Sequence, residues 1–173
     1  MHDNVGVRES VSAQVGRGRA IEEKMQVVGE WHVVARHADG TIFADETVHN
    51  LLTTGGRAFI HDQVYRNTSA GTQGSRFIAV TVDTGAPAAG DTVLTGEITT
   101  GGLGRAAATT NTYSSPTTTL AVTFTATATH TAVQKMALFN ASSAGTMTHE
   151  ATITPVTLNS TDTLTITANL TAQ

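Results

Sequence analysis

An unusually regular alternation of threonine and apolar residues runs through residues 118–132. Because a β-strand directs successive side chains to opposite faces, this pattern predicts one long strand with an apolar face and a hydroxyl face. Threonine is β-branched and therefore also suits a pleated surface. The apolar parity comprises Leu120, Val122, Phe124, Ala126, Ala128 and His130.

The last segment of the chain, residues 161–171, repeats this alternation. Leu164, Ile166 and Leu170 share one parity, and threonine occupies most of the other. Two long strands that each carry one apolar face predict an antiparallel sheet whose apolar side packs on a second layer.

The rest of the chain supplies further strands separated by turn residues. Strands are predicted over residues 25–36, 41–48, 76–82, 105–113, 134–140 and 146–156. Asp39-Gly40 predicts a tight hairpin turn. Residues 57–65 predict a short amphipathic helix with Thr53 or Thr54 as its N-cap. About eight strands with regular turns indicate an all-β fold, an antiparallel β-sandwich of jelly-roll or immunoglobulin-like type with one short helix.

Length and composition limit the classes of protein to consider. A chain of 173 residues predicts one domain, here residues 26–173, preceded by an extended N-terminal arm over residues 1–25. The absence of cysteine excludes disulfides and thiolate metal sites. A net charge of −4 argues against a nucleic-acid partner. No run of apolar residues reaches membrane-spanning length and no secretion signal is visible, so no membrane partner is expected.

Formal charge is distributed very unevenly. After Arg105 the only formally charged residues are Lys135, Glu150 and Asp162. Long uncharged strands tend to aggregate unless something covers them, which favours assembly with neighbouring subunits. The alternative is that threonine hydroxyls keep the strands hydrated. The arm carries the candidate partner-contact residues Arg8, Arg17, Arg19 and Lys24. It could contact a neighbouring chain or dock on its own domain.

No pattern of catalytic or ligand-binding residues is recognisable. Seven histidines are scattered without a metal-binding spacing, and no nucleophile motif is present. The run Gly101-Gly102-Leu103-Gly104 lacks the lysine of a phosphate-binding loop and is interpreted as a flexible connection. His130 is interpreted as an inward residue at a strand end, and Trp31 as a core residue. We therefore expect no enzyme activity, no cofactor and no metal.

Three stretches together resemble a broad group of tailed-bacteriophage virion proteins. These are residues 48–57 (VHNLLTTGGR), residues 77–97 (FIAVTVDTGAPAAGDTVLTGE) and residues 135–140 (KMALFN). The residues that carry the resemblance form a candidate structural motif: Asn50, Gly55, Gly85, Pro87, Asp91, Leu94 and Glu97. The chain departs from the pattern at Thr81 and Asp83, where glycine-type residues are expected, and at Lys135, where an acidic residue is common.

The resemblance implies a virion structural protein. The small size of the chain, its charged arm and its lack of fibre repeats favour a capsid decoration (cement) protein. Such a protein would lie on the exterior of the head and be synthesised in the host cytoplasm. Its partners would be the major capsid protein and neighbouring copies of itself, as a homo-oligomer for which a trimer is the natural guess. The alternatives are a tail, neck, baseplate or fibre component, and an adhesin-like binding module.

Overall fold

The computed structural model describes residues 27–61, 63 and 74–172. The predicted arm, with Arg8, Arg17, Arg19 and Lys24, lies outside the described residues. Within them the chain forms ten strands and one helix. These are β1 (Val27–Arg36), β2 (Ile42–His49), β3 (Leu51–Leu52), α1 (Thr54–His61), β4 (Phe77–Thr81), β5 (Ala106–Ala107), β6 (Thr110–Ser114), β7 (Thr117–Thr125), β8 (His130–Phe139), β9 (Met147–Leu158) and β10 (Thr163–Ala172).

The strands form two five-stranded sheets, as the all-β sandwich prediction requires. Sheet A has the order β2-β1-β10-β7-β6, and sheet B has the order β3-β9-β8-β4-β5. All the strand pairs are antiparallel. The two alternating segments pair with each other at the centre of sheet A, where Val122 lies opposite Ile166. Their apolar parities face sheet B, because only that side offers a dry surface.

The core lies between the sheets. Its largest member is Trp31 of β1, which is fully buried as predicted. Trp31 belongs to a continuous cluster of buried side chains from both sheets, which includes Ile78, Leu120, Met136 and Ile166. Close packing of this kind supplies most of the stabilisation of a sandwich, since each large buried side chain contributes about 1.5–3 kcal/mol.

Residues 118–132 do not form the single long strand that their alternation predicts. β7 ends at Thr125, and residues 126–129 carry the chain across to sheet B, where β8 begins at His130. Ala126 is buried, but Ala128 is exposed, contrary to its predicted place on the apolar face. Backbone hydrogen bonds from Ala126 N to Asp162 O and from Thr127 N to Gly101 O replace strand pairing at this crossing.

Three further predictions need correction. The predicted strand 105–113 is divided, because β5 pairs with β4 in sheet B whereas β6 pairs with β7 in sheet A. The helix begins at Thr54, three residues before the predicted start, and Thr53 is its cap. The glycine run is packed against the fold: Leu103 is fully buried, and a Cβ on Gly102 would lie 1.9 Å from the carbonyl oxygen of Thr125.

Candidate functional site

The outer face of sheet B is covered by residues 82–105, which we call the cover loop. Leu94 of this loop is buried against Ala79, Ala137, Phe139 and Met147. The loop also touches the start of the helix, because Thr54 N donates to Ala89 O over 2.7 Å. An apolar second layer is thereby built from a segment that forms no strand. It is joined to β4 by the isolated bridge between Thr81 and Glu97 and by hydrogen bonds from Thr81 Oγ1 to Thr95 O and Gly96 O.

Arg105 holds the end of the cover loop in place. Its guanidinium donates two hydrogen bonds to the carboxylate of Glu97, at 2.8 and 2.5 Å. It also donates to the carbonyl oxygens of Ala141 and Ala144 in the β8–β9 turn. The same group lies 3.5 Å above the ring centroid of Phe139. Bidentate pairing combined with stacking is the geometry in which arginine cannot be replaced by lysine.

Most residues of the motif behind the virion resemblance serve this internal layer. Leu94 is the apolar anchor of the cover loop, Glu97 pairs with Arg105, and Gly85 donates its N–H to Asp83 Oδ2. The carboxylate of Asp91 accepts from Ala88 N and closes a turn. For Pro87 the structure gives only a half-buried position in the loop.

The remaining two motif residues lie where β2 leads into the helix. The side chain of Asn50 lies so close to Gly29 that a Cβ there would be 2.0 Å from its Oδ1. Gly55 lies in the first helical turn, where a Cβ would contact Thr146 at 3.3 Å. Beside it, Thr53 Oγ1 accepts from Gly56 N and donates to Met147 O, which fixes the helix on β9. The motif residues therefore support the fold, and none of them was predicted from the sequence to bind a ligand.

The two departures from the motif at Asp83 and Lys135 meet in space. Lys135 Nζ lies 2.5 Å from Asp83 Oδ2 and 3.3 Å from Glu150 Oε1. The side chains of Lys135 and Glu150 are only 4 % and 1 % exposed, whereas that of Asp83 is 27 % exposed. Thr81, the third departure, donates to the carbonyl oxygens of Thr95 and Gly96. Its Oγ1 also accepts from Asp83 N. We call Lys135, Asp83 and Glu150 the buried ionic cluster.

The cluster distributes protons unequally among its members. Burial lowers the pKa of Lys135, but the hydrogen bond to Asp83 and the charge of Glu150 more than offset burial, so this pKa lies above its usual value. The hydrogen bond from Lys135 lowers the pKa of Asp83. Burial, together with the neighbouring carboxyl of Asp91, raises the pKa of Glu150. The cluster thus pairs the ammonium of Lys135 with the carboxylate of Asp83, and Glu150 takes up a proton more readily than an ordinary glutamate does.

The outer face of sheet A is quite different, and we call it the threonine face. Cross-strand hydrogen bonds join Thr117 to Thr171 at 2.8 Å, Thr119 to Asn169 at 2.8 Å and Thr123 to Thr165 at 2.9 Å. These residues lie opposite each other in the register of β7 and β10. None of the described elements packs on this face.

Residues 106–172 present no formal charge to solvent. Their three charged residues, Lys135, Glu150 and Asp162, are all buried, at 3 %, 1 % and 4 % exposure. Asp162 accepts from Asn159 N and contacts His37 Nδ1 at 3.3 Å. Exposed surfaces of proteins that function alone usually contain a quarter to a third charged residues. A neutral hydroxyl surface of this extent favours contact with another macromolecule because it costs little to dehydrate compared with charged groups.

The histidines within residues 27–61 and 74–172 do not form a common site. Among the described residues no group of three or more histidine and acidic side chains could hold a metal ion. His32 pairs with Asp45 at 2.8 Å on sheet A. The half-buried His130 hydrogen-bonds Gly101 O at 2.9 Å, which ties the start of β8 to the glycine run. His149 is buried beside a cavity of about 530 Å³ at one end of the sandwich, and burial lowers its pKa to about 4.

Comparisons with known proteins found no match among protein-family models, curated proteins or solved structures. No helix in the described part of the chain is long and apolar enough to cross a membrane.

Proposed function

We propose that this chain is a structural protein of a tailed-phage virion that decorates the assembled head. The observation that supports this most directly is the uncharged exterior of residues 106–172, whose charges are all buried. The sequence resemblance to virion proteins is the second support. It spans both the cover loop and the strands that the loop packs on.

The threonine face is the part of the molecule that we assign to contact with the particle. Its hydroxyl groups are paired across β7 and β10, so their orientation is fixed before a partner arrives. A preorganised surface loses less side-chain entropy on binding. A protein that binds the assembled lattice and not its free subunits stabilises the assembled state by linkage. Many copies that each bind weakly then add their effects through the particle.

The experiment that tests this function measures copy number. Virions of the phage that encodes the chain are purified, and the chain is quantified against the major capsid protein by mass spectrometry. A component that covers the lattice is expected on the order of hundreds of copies, whereas tail symmetry would give about six to a dozen. The lower number would assign the chain to the tail, neck or baseplate. Absence from the particle would overturn a virion role altogether.

A second measurement assigns the contact surface. Purified protein is added to particles that lack it, and bound copies are counted. Thr123→Glu places a charge on the threonine face and is expected to reduce occupancy at least about tenfold. Thr84→Glu places the same charge on the exposed cover loop and is the matched control. Equal occupancy for the two variants would exclude the threonine face as the contact surface. Deletion of residues 1–24 tests the arm in the same assay and is expected to weaken binding while the fold remains.

A further inference from the structure

The buried ionic cluster brings an amine and a carboxyl group into reacting distance. Lys135 lies on β8, the central strand of three: Asp83 follows β4 on one side, and Glu150 lies on β9 on the other. With Nζ 2.5 Å from Asp83 Oδ2, the carboxyl carbon Cγ is at most about 3.7 Å from Nζ, since a carbon–oxygen bond is about 1.23 Å long. Reaction in enzymes starts from separations of about 3–3.5 Å.

We propose that Lys135 and Asp83 join in an intramolecular isopeptide bond, with Glu150 as the catalytic proton carrier. The bond that forms links Nζ to Cγ, and the bond that breaks links Cγ to one carboxyl oxygen. Of the three ammonium protons of Lys135, one stays on the amide nitrogen and two leave with that oxygen as water. The step is a condensation, so it needs neither an oxidant nor a reductant and no co-reactant.

The first requirement is a neutral amine. The cluster begins as an ion pair, and transfer of one proton along the hydrogen bond from Nζ to Oδ2 converts it to an amine and a carboxylic acid without a change in total charge. Burial favours the neutral pair, whereas the hydrogen bond to Asp83 and the charge of Glu150 favour the ammonium, so the neutral amine is a minor species from which the reaction proceeds. The side chain of Lys135 is 4 % exposed, so little water is present to stabilise the ammonium.

The second requirement is a group that relays protons during the attack. Glu150 Oε1 lies 3.3 Å from Nζ, close enough to accept a proton from the attacking nitrogen and to return it to the departing oxygen. Glu150 is fixed for this role, since its side chain is 1 % exposed and its strand is paired on both sides, with β8 and with β3.

The third requirement is an Asp83 carboxyl group that is held in position for attack. The backbone N–H of Gly85 donates to Oδ2 at 3.2 Å and orients this oxygen, which takes up the proton and departs as water, so that the negative charge of the tetrahedral intermediate lies on Oδ1. Thr81 Oγ1 accepts from Asp83 N at 3.1 Å, which holds the backbone of Asp83 beside β8. The 27 % exposure of the Asp83 side chain leaves an outlet for the water that is released.

The product would tie the beginning of the cover loop to the centre of sheet B. The two residues are 52 positions apart in sequence, so the bond closes a long loop. A covalent link of this length removes conformational freedom from the unfolded chain, as a disulfide does, and this chain contains no cysteine. The proposal does not depend on the virion role, because the reaction needs only the folded chain.

The test begins with the intact mass of the purified full-length protein. We expect the mass to be lower than the sequence mass by one water molecule. Trypsin then locates the bond, because the only cleavage sites after residue 75 are Arg76, Arg105 and Lys135. The crosslinked protein should give a branched peptide in which residues 77–105 are joined through Lys135 to residues 106–173. A succinimide at Asp39-Gly40 also loses one water, but it would appear in the peptide 37–57.

Two variants identify the chemistry. Lys135→Arg keeps the positive charge, removes the amine nucleophile and should restore the full sequence mass. Glu150→Gln retains nearly the same shape and should be recovered mainly without the crosslink, since a general acid–base group contributes about 100-fold or more. A Glu150→Gln variant that crosslinks completely would overturn the role of Glu150. Wild-type protein of full sequence mass, with separate peptides 77–105, 106–135 and 136–173, would overturn the bond itself, whether or not the variants fold.

Discussion

The outer faces of the two sheets differ in what covers them and in the residues that they carry. That of sheet B is hidden beneath the cover loop and contains a buried ionic cluster and the arginine-centred contacts of Arg105. That of sheet A carries ordered rows of threonine, and none of the described elements packs on it. Both sheets use the same apolar inner layer, so the hydrophobic effect alone does not account for this difference.

The comparison separates residues that build the fold from residues that are free to bind. Changes beneath the cover loop leave buried polar atoms or a cavity and should therefore lower the free energy of unfolding. Changes on the threonine face alter groups that water can still solvate, so they should affect binding instead of stability. The following predictions test this separation.

The largest effect is expected at Leu94, the anchor of the cover loop. Leu94 is 5 % exposed against Phe139 and Met147, and Leu94→Ala should lower the free energy of unfolding by about 3 kcal/mol through lost burial and the cavity left behind. Denaturant titration measures this value. The neighbouring Val93 is 66 % exposed, so Val93→Ala should change it by about 0.5 kcal/mol or less. Equal effects of the two changes would show that the loop does not function as a core layer.

The next effect is a dependence of stability on pH that originates in sheet B. Burial lowers the pKa of His149 to about 4, below its ordinary value of 6.5. The unfolded chain therefore binds a proton between these values while the folded chain does not, and stability falls as the pH drops through this window. The loss between pH 7 and pH 5 should be about 2 kcal/mol.

The matched variant for this prediction is His149→Gln, which cannot take up the proton. Its free energy of unfolding, measured by denaturant titration at pH 7 and pH 5, should differ between these pH values by about 2 kcal/mol less than that of the wild type. Parallel pH profiles for the two proteins would contradict the assignment to His149. The threonine hydroxyls of β7 and β10 contribute nothing to this window, because hydroxyl groups do not titrate there.

The smallest effect is expected on the threonine face. Thr123 and Thr165 share one cross-strand hydrogen bond, and replacing both by valine keeps the β-branch while removing two solvated hydroxyls. The free energy of unfolding should change by about 0.5 kcal/mol or less. Thr81→Val is the same change beneath the cover loop, and there it removes the hydroxyl that serves Thr95 O, Gly96 O and Asp83 N. The free energy of unfolding of that variant should fall by about 1–3 kcal/mol. A smaller fall than in the double variant would contradict the separation of the two faces.

Local pattern predicted many of the strands but not their ends. The alternation in residues 118–132 identified a strand correctly, yet the same alternation continues through the crossing after Thr125. A period of two reports which residues could share a face, and it does not report whether a partner strand is present. The division of residues 105–113 between two sheets was missed for the same reason, because each piece is too short for its own period to appear.

The residues of the buried ionic cluster were visible in the sequence only as separate anomalies. Asp83 and Lys135 were both noted as departures from a pattern, but a distance of 52 positions gave no reason to pair them. Glu150 stood out only as one of three formal charges after Arg105, and a lone glutamate in an uncharged strand is usually solvent-exposed. The pairing depends on β8 lying between β4 and β9, and that order is a property of the sheet as a whole.

The sequence by itself determined the sandwich, because alternating threonine and apolar residues can bury only one face of each strand. It also determined the Asp39-Gly40 turn, in which Gly40 adopts a φ of 88° and Thr41 N donates to Asp39 Oδ1. Tertiary structure alone decided which outer face is covered, where the three charges of residues 106–172 are buried, and that Lys135 meets Asp83 and Glu150. These features depend on contacts between segments that are distant in sequence, and such contacts leave no local period for a reader of the sequence to detect.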